Sequence, residues 1–120
     1  MSGERIIALQ DLLDAAMAGD LTHVSGDDIY KAFGSHRQAL FIGAYNGSLD
    51  AAKALHDAVL PDEGWEVYRT SKYPGMIPGS SQHEFAAKVG WGTTHRGEAN
   101  NPARAWLCVI LKALIAEAKP

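Results

Sequence analysis

Tyr45-Asn46-Gly47-Ser48-Leu49-Asp50-Ala51-Ala52 runs on into Leu55-His56-Asp57-Ala58-Val59-Leu60-Pro61 and then Gly64-Trp65. A turn, a helix cap, a helix and a strand start are written there in order. Ser48 offers a hydroxyl to the orphan N–H groups of a helix that the spacing predicts over about Leu49 to Leu60. Pro61 forces the chain out of the helical region. Leu49, Ala52, Leu55 and Val59 make one apolar stripe, with His56 inside it, while Asp50, Lys53 and Asp57 fall on the far side. Ala51, Ala54 and Ala58 form a small-residue stripe suited to close approach of another helix.

Downstream of Gly64 the period changes from helical to alternating. Trp65, Val67 and Arg69 point one way and Glu66, Tyr68 and Thr70 the other. A second alternating run spans Glu84 to Trp91, with Phe85, Ala87, Val89 and Trp91 on one face. Two such neighbours pair most simply as antiparallel strands. Residues 71–83, with Pro74-Gly75 and Pro78-Gly79, exceed an ordinary hairpin loop and read as an excursion or a contact surface. Residues 90–101 read as a second irregular stretch.

Upstream, a helix is predicted from about Glu4 to Ala18, capped by Ser2 and ended by Gly19. Its apolar stripe is Ile6, Leu9, Leu13, Ala16 and Met17. Ser25-Gly26-Asp27-Asp28 opens a short helix carrying Ile29, Ala32 and Phe33, closed by Gly34. Ser35 to Gln38 has capping-box spacing, so a further turn follows through Phe41, or else Phe41, Ile42 and Tyr45 are extended. Asn101 and Pro102 start a closing helix that runs to about Glu117. On it Arg104, Cys108, Lys112 and Lys119 share one narrow stripe, and Trp106, Leu107, Val109, Ile110, Leu111, Leu114 and Ile115 cover most of the rest. A helix this apolar is either the central helix of the domain or part of a subunit interface.

The elements describe an α+β fold: a small antiparallel β-sheet packed between helices, in one domain over residues 1–120. Composition is that of an ordinary soluble globular protein, 47% hydrophobic and 21% charged. One cysteine excludes an internal disulfide and a multi-cysteine zinc site, which fits a reducing cytoplasm. The charged opening Met1-Ser2-Gly3-Glu4-Arg5 does not read as a signal peptide, and no apolar run is long enough for a membrane span. Net charge is −3, unevenly spread. Residues 1–64 hold ten acids and four bases, and residues 65–120 four acids and seven bases. Two halves of one domain attracting each other account for that. A nucleic-acid surface would need a basic cluster that the scattered Lys and Arg do not make.

The order and spacing of these motifs resemble the phage ABA sandwich domains, a family of small bacteriophage and prophage proteins. The likeness rests on Asp27-Asp28-Ile29, Tyr45 to Ala52, Leu60-Pro61 with Gly64-Trp65, and Asn101-Pro102-Ala103-Arg104-Ala105, and spans about residues 4–116. Asn46 stands where that pattern has Thr. The resemblance implies a helix/sheet/helix sandwich and a phage or prophage origin in a bacterial host cell. It carries over no catalytic residue, metal or cofactor.

Five histidines, His23, His36, His56, His83 and His95, have no metal-binding spacing, although His83-Glu84 and His95 to Glu98 could converge around the second strand. His56 reads as a core histidine with its nitrogens hydrogen-bonded. Cys108 lacks a readable partner for nucleophilic chemistry and reads as a small packing residue. Tyr68, Tyr73, Trp91, His95 and Arg96 could line an aromatic–basic face, or Trp65 and Trp91 could anchor the sheet to the core. The surface and pocket candidates are therefore His56, His83, His95, Arg96 and Trp91. The expected function is a non-catalytic accessory role through contacts with a protein partner or a second copy, with no cofactor. The alternatives are a small histidine- or metal-dependent hydrolase, marked by a cleft joining His83, His95 and a carboxylate, and a nucleic-acid factor, marked by a continuous Lys88–Arg96–Arg69 stripe.

Overall fold

The computed structural model describes residues 2–70, 83–90 and 94–118. Five helices form: α1 Ser2–Ala18, which starts at Ser2 rather than being capped by it, α2 Gly26–Phe33, α3 Gln38–Tyr45, where the helical of the two readings is realised, α4 Leu49–Val59 and α5 Pro102–Ala118. Three strands, β1 Trp65–Arg69, β2 Phe85–Val89 and β3 His95–Ala99, form one antiparallel sheet in the order β1-β2-β3. The α+β class holds. The second alternating run ends at Val89 rather than at Trp91, which lies outside the described residues, as does most of the 71–83 excursion.

Capping chemistry sets most helix starts. Ser25 and Asp28 form a reciprocal capping box at α2, Ser48 Oγ accepts from the Ala51 N–H at α4, and Asn101 Oδ1 accepts from the Arg104 N–H at α5. Gly19 ends α1 in the left-handed region, with φ 72°. At α3 the expected capping box is absent. Phe41, Ile42 and Tyr45 are helical, but the helix starts at Gln38 behind Arg37, with no side-chain cap. Ser35 is too far upstream because His36 takes a left-handed turn, with φ 66°, between α2 and α3.

Strand β3 falls where the sequence reads as irregular. Its residues, His95-Arg96-Gly97-Glu98-Ala99, include no β-branched side chain and a central glycine, so propensity gives no signal. Packing decides it instead. A Cβ on Gly97 would lie 2.7 Å from the Ala105 carbonyl oxygen and 2.8 Å from the Val109 nitrogen, so α5 presses directly on the strand backbone. Phe85↔Ala99, Ala87↔Gly97 and Val89↔His95 are the pairs on that α5-facing side.

Helix α5 is the middle layer. It packs on all three strands with one side, and on α1, α3 and α4 with the other. Of the two readings of its apolar surface, burial within the chain is the one realised: Trp106, Leu107, Val109, Ile110, Leu111 and Leu114 are all buried. The core continues through Leu9 and Leu12 of α1, Ile29 and Phe33 of α2, Phe41 of α3 and Leu55 of α4.

Three apolar stripes need correction. On α1 the buried residues are Ala8, Leu9, Leu12 and Ala16, whereas Met17 is 61% exposed, because α1 meets both α2 and α5 and its buried arc is rotated accordingly. Leu49 is half-exposed in the first turn of α4. Ala54 and Ala58 face solvent. The close contact of that small stripe is made by Ala51, 2.9 Å from where a Cβ on Gly43 of α3 would stand.

Candidate functional site

His56 lies in the core, as its place in the α4 stripe predicts. Its Nε2 faces the Glu63 carbonyl at 2.9 Å, and its Nδ1 lies 3.2 Å from the Trp106 indole N–H. The indole can only donate and the carbonyl can only accept. The ring is therefore the tautomer with hydrogen on Nε2, donating to Glu63 and accepting from Trp106. Both nitrogens are consumed in tying α5 to the turn after α4. Trp65, expected as a core anchor, instead stacks on Trp106, with ring centroids 4.2 Å and ring planes 28° apart, and 46% of its surface is open.

His83 and His95 do not converge. His95 pairs with Val89, and His83 precedes Phe85, which pairs with Ala99. Six residues of extended chain separate their levels, roughly 20 Å at about 3.3 Å per residue. His95 lines a cavity of about 60 Å³ with Leu60, Glu63, Val89 and Glu117. His83 lines two clefts on the outer side of β3, and His95 lines neither of them. The cleft that would mark a hydrolase is not formed by these residues, and among the described residues no group of three His, Cys, Asp or Glu side chains could hold a metal. Trp91 lies outside the described residues.

The face of the sheet away from α5 carries Glu66, Tyr68, Lys88, Arg96 and Glu98. Lys88 and Arg96 are opposite each other in register, and both approach the Tyr68 ring, at 5.6 and 5.9 Å from its centroid. Arg69 alternates to the opposite face and pairs with Glu84. The basic stripe that would mark a nucleic-acid surface is thus broken at Arg69.

The site that the fold does assemble is a groove along the outer edge of β3. Two clefts, of about 290 and 210 Å³, share Met17, His83 and Glu98. One wall is the C-terminal end of α1, from Ala16 to Gly19, and the other is β3. The floor is the α5 stripe Arg104, Cys108 and Lys112, three positions spaced four apart and so aligned along one side of the helix. Of the sequence candidates, His83 and Arg96 meet here. Met17, which its spacing assigns to the core, Glu98, which the sequence offers only as a neighbour of His95, and Asn100 join them. The Arg104–Cys108–Lys112 stripe was legible as a helix face, but not as the floor of a groove.

Each cation of the groove is held. Arg104 Nε donates to the Tyr45 carbonyl at 3.0 Å, and its guanidinium lies 4.0 Å over the Tyr45 ring. Arg96 pairs with Glu98 at 2.8 Å. Lys112 Nζ donates to the Arg96 carbonyl at 2.9 Å. Burial pushes the Cys108 thiol up to about 11, against the opposing pull of Lys112 and Arg104. A thiol held so far above neutrality is protonated and is not a nucleophile.

Among the described residues no helix is long and apolar enough to cross a membrane. No family model, no curated protein and no solved structure matches the chain.

Proposed function

We propose that this chain is a non-catalytic accessory protein of phage or prophage origin, acting in a bacterial host cell through contact with another protein. The origin rests on the order of motifs in the sequence. The mode of action rests on Trp65. It is a large aromatic side chain, 46% exposed, stacked on the buried Trp106. A tryptophan fixed in this way loses little freedom on binding, and tryptophans dominate the energetics of protein interfaces. Strand β1 reinforces the reading. The bonds from the Gly90 N–H to the Gly64 carbonyl and from the Thr70 N–H to the Glu84 carbonyl commit the even-numbered residues to β2. The N–H and C=O groups of Trp65, Val67 and Arg69 therefore point outward beside the exposed ring.

Affinity capture from phage-infected cells, with wild type and Trp65→Gln as paired baits, tests this. The expected result is a stoichiometric protein retained by wild type and lost with Trp65→Gln, while circular dichroism shows the variant folded. A retained protein indifferent to the substitution would remove Trp65 as the anchor. Substrate turnover by the purified chain that survives loss of Trp65 would overturn the non-catalytic reading.

A further inference from the structure

We propose that the groove along β3 receives an extended, acidic segment of the protein partner, which adds as a fourth strand to the sheet. The proposal rests on the protein-contact reading above and supplies the chemistry of a second contact. The strand registers carry it. Even-numbered residues of β2 bond to β1, so odd-numbered ones bond to β3, through Phe85↔Ala99, Ala87↔Gly97 and Val89↔His95. The N–H and C=O groups of Arg96 and Glu98 are therefore directed away from the sheet, along the groove. The bond from Lys112 Nζ to the Arg96 carbonyl agrees with that direction, and among the described residues it is the contact made to this edge. A lysine laid on a strand edge is a known guard against indiscriminate pairing, and it can be displaced by a better partner.

Charge names the occupant. The described lining carries Arg96, Arg104 and Lys112 against Glu98, a net +2 in a chain whose total is −3. Lys112 and Arg96 each have donors left after the bonds described above. A strand entering here would exchange main-chain bonds with Arg96 and Glu98. Acidic side chains on its α5-facing side would meet Lys112 and, farther along the floor, Arg104, and those on its other side would meet Arg96. Main-chain bonds supply affinity and the alternate side chains supply selectivity in such additions. Met17, 61% exposed at the groove wall, offers the adaptable apolar contact that a docked strand needs.

The test is a titration of the full chain, labelled with nitrogen-15, with the blocked peptide Thr-Glu-Glu-Val-Glu-Glu, which carries glutamates on both faces of an extended strand. Its counterpart with glutamine at each glutamate, and inorganic phosphate, are run in parallel. The expected result is saturable binding of the acidic peptide, with the largest amide shifts at Arg96 and Glu98. Lys112→Gln and Arg96→Gln should each weaken it at least fivefold, Arg96→Lys should restore part of the loss, and thermal midpoints should stay near wild type. The glutamine peptide should bind at least tenfold more weakly. No binding at millimolar peptide, shifts confined to other residues, or equal response to phosphate with no change at the Arg96 and Glu98 amides would each overturn strand addition. The same groove variants used as baits in infected cells separate the two readings. A partner that Trp65→Gln loses but Lys112→Gln keeps leaves protein contact standing and removes the groove from it. Failure of wild type to retain any partner removes the broader reading whatever the peptide does.

Discussion

The indole N–H of Trp106 points at Nδ1 of His56 across 3.2 Å of core, and the opposite ring nitrogen reaches the Glu63 carbonyl at 2.9 Å. A single imidazole thus joins three segments: the closing helix, the α4 helix and the turn that leads into β1. Both partners are buried or part-buried, so each would be left without a bond if the ring were removed. An unsatisfied buried donor or acceptor costs about 1–3 kcal/mol, and the cavity adds to it. His56→Ala should therefore lose about 4 kcal/mol or more in urea unfolding. His56→Gln, which keeps a donor and an acceptor, should recover part of that. Equal midpoints for wild type and His56→Ala would show that the two bonds contribute nothing.

Cys108 gives a pH signature. Its thiol is pushed up to about 11 by burial, from an ordinary value of 9.0. The unfolded chain therefore releases this proton first as pH rises. The stability contribution is fully present below about pH 9 and is lost between pH 9 and 11, by roughly 2–3 kcal/mol at about 1.4 kcal/mol per pH unit. Urea midpoints for wild type should fall faster over that range than those of Cys108→Ala. At pH 8 the thiol should react with a disulfide reagent only as fast as the protein opens. Immediate stoichiometric labelling of the native chain would contradict the burial of Cys108.

The two thiol neighbours, Arg104 and Lys112, also mark how far a sequence can be read. Their stripe is local, set by a period of four residues on one helix, and it is visible without a structure. The caps at Ser25, Ser48 and Asn101 are local in the same sense, and all three are formed. What local pattern misses depends on contact at a distance. Strand β3 exists because Gly97 lets α5 approach its backbone, and nothing in His95-Arg96-Gly97-Glu98-Ala99 alone announces that. Met17 looks like a core residue by spacing, yet it stands at the rim of the groove because α1 is rotated between two neighbours. His83 and His95 flank the same strand region in sequence, and only the register separates them.

Gly97 offers a direct test of that long-range contact. Adding one methyl group there places it against backbone atoms of α5, at 2.7 and 2.8 Å, with Cys108 Cβ at 3.2 Å. A flexible side chain could move aside, but a helix backbone moves only by lifting α5 off the sheet. Overpacking of this kind costs about 1–3 kcal/mol. Gly97→Ala should fall at the upper end, with increased amide exchange at Ala87 and Val89, the β2 residues nearest the contact. A variant as stable as wild type would show that helix and strand lie farther apart than this packing requires.

The apolar surface of α5 decides what assembly can be asked of it. Ile110 is 0% exposed and Leu114 1%. The arc that could have joined a second copy is already covered by the sheet on one side and by α1, α3 and α4 on the other. A charge at Leu114 would have no aqueous side to turn toward, and burying an unpaired carboxylate is among the most costly single changes. Leu114→Glu should therefore unfold the chain, with a loss on the order of 4 kcal/mol or more, rather than release folded subunits. Ile7, 61% exposed on α1, is the matching control, and Ile7→Glu should stay within about 0.5 kcal/mol of wild type. Circular dichroism and sedimentation velocity on the same samples separate the outcomes. A Leu114→Glu chain that keeps its helical signal, and sediments as a monomer where wild type sediments as a dimer, would return α5 to a subunit interface. Loss of the helical signal with no change of wild-type mass at high concentration places Leu114 in the interior of a single chain.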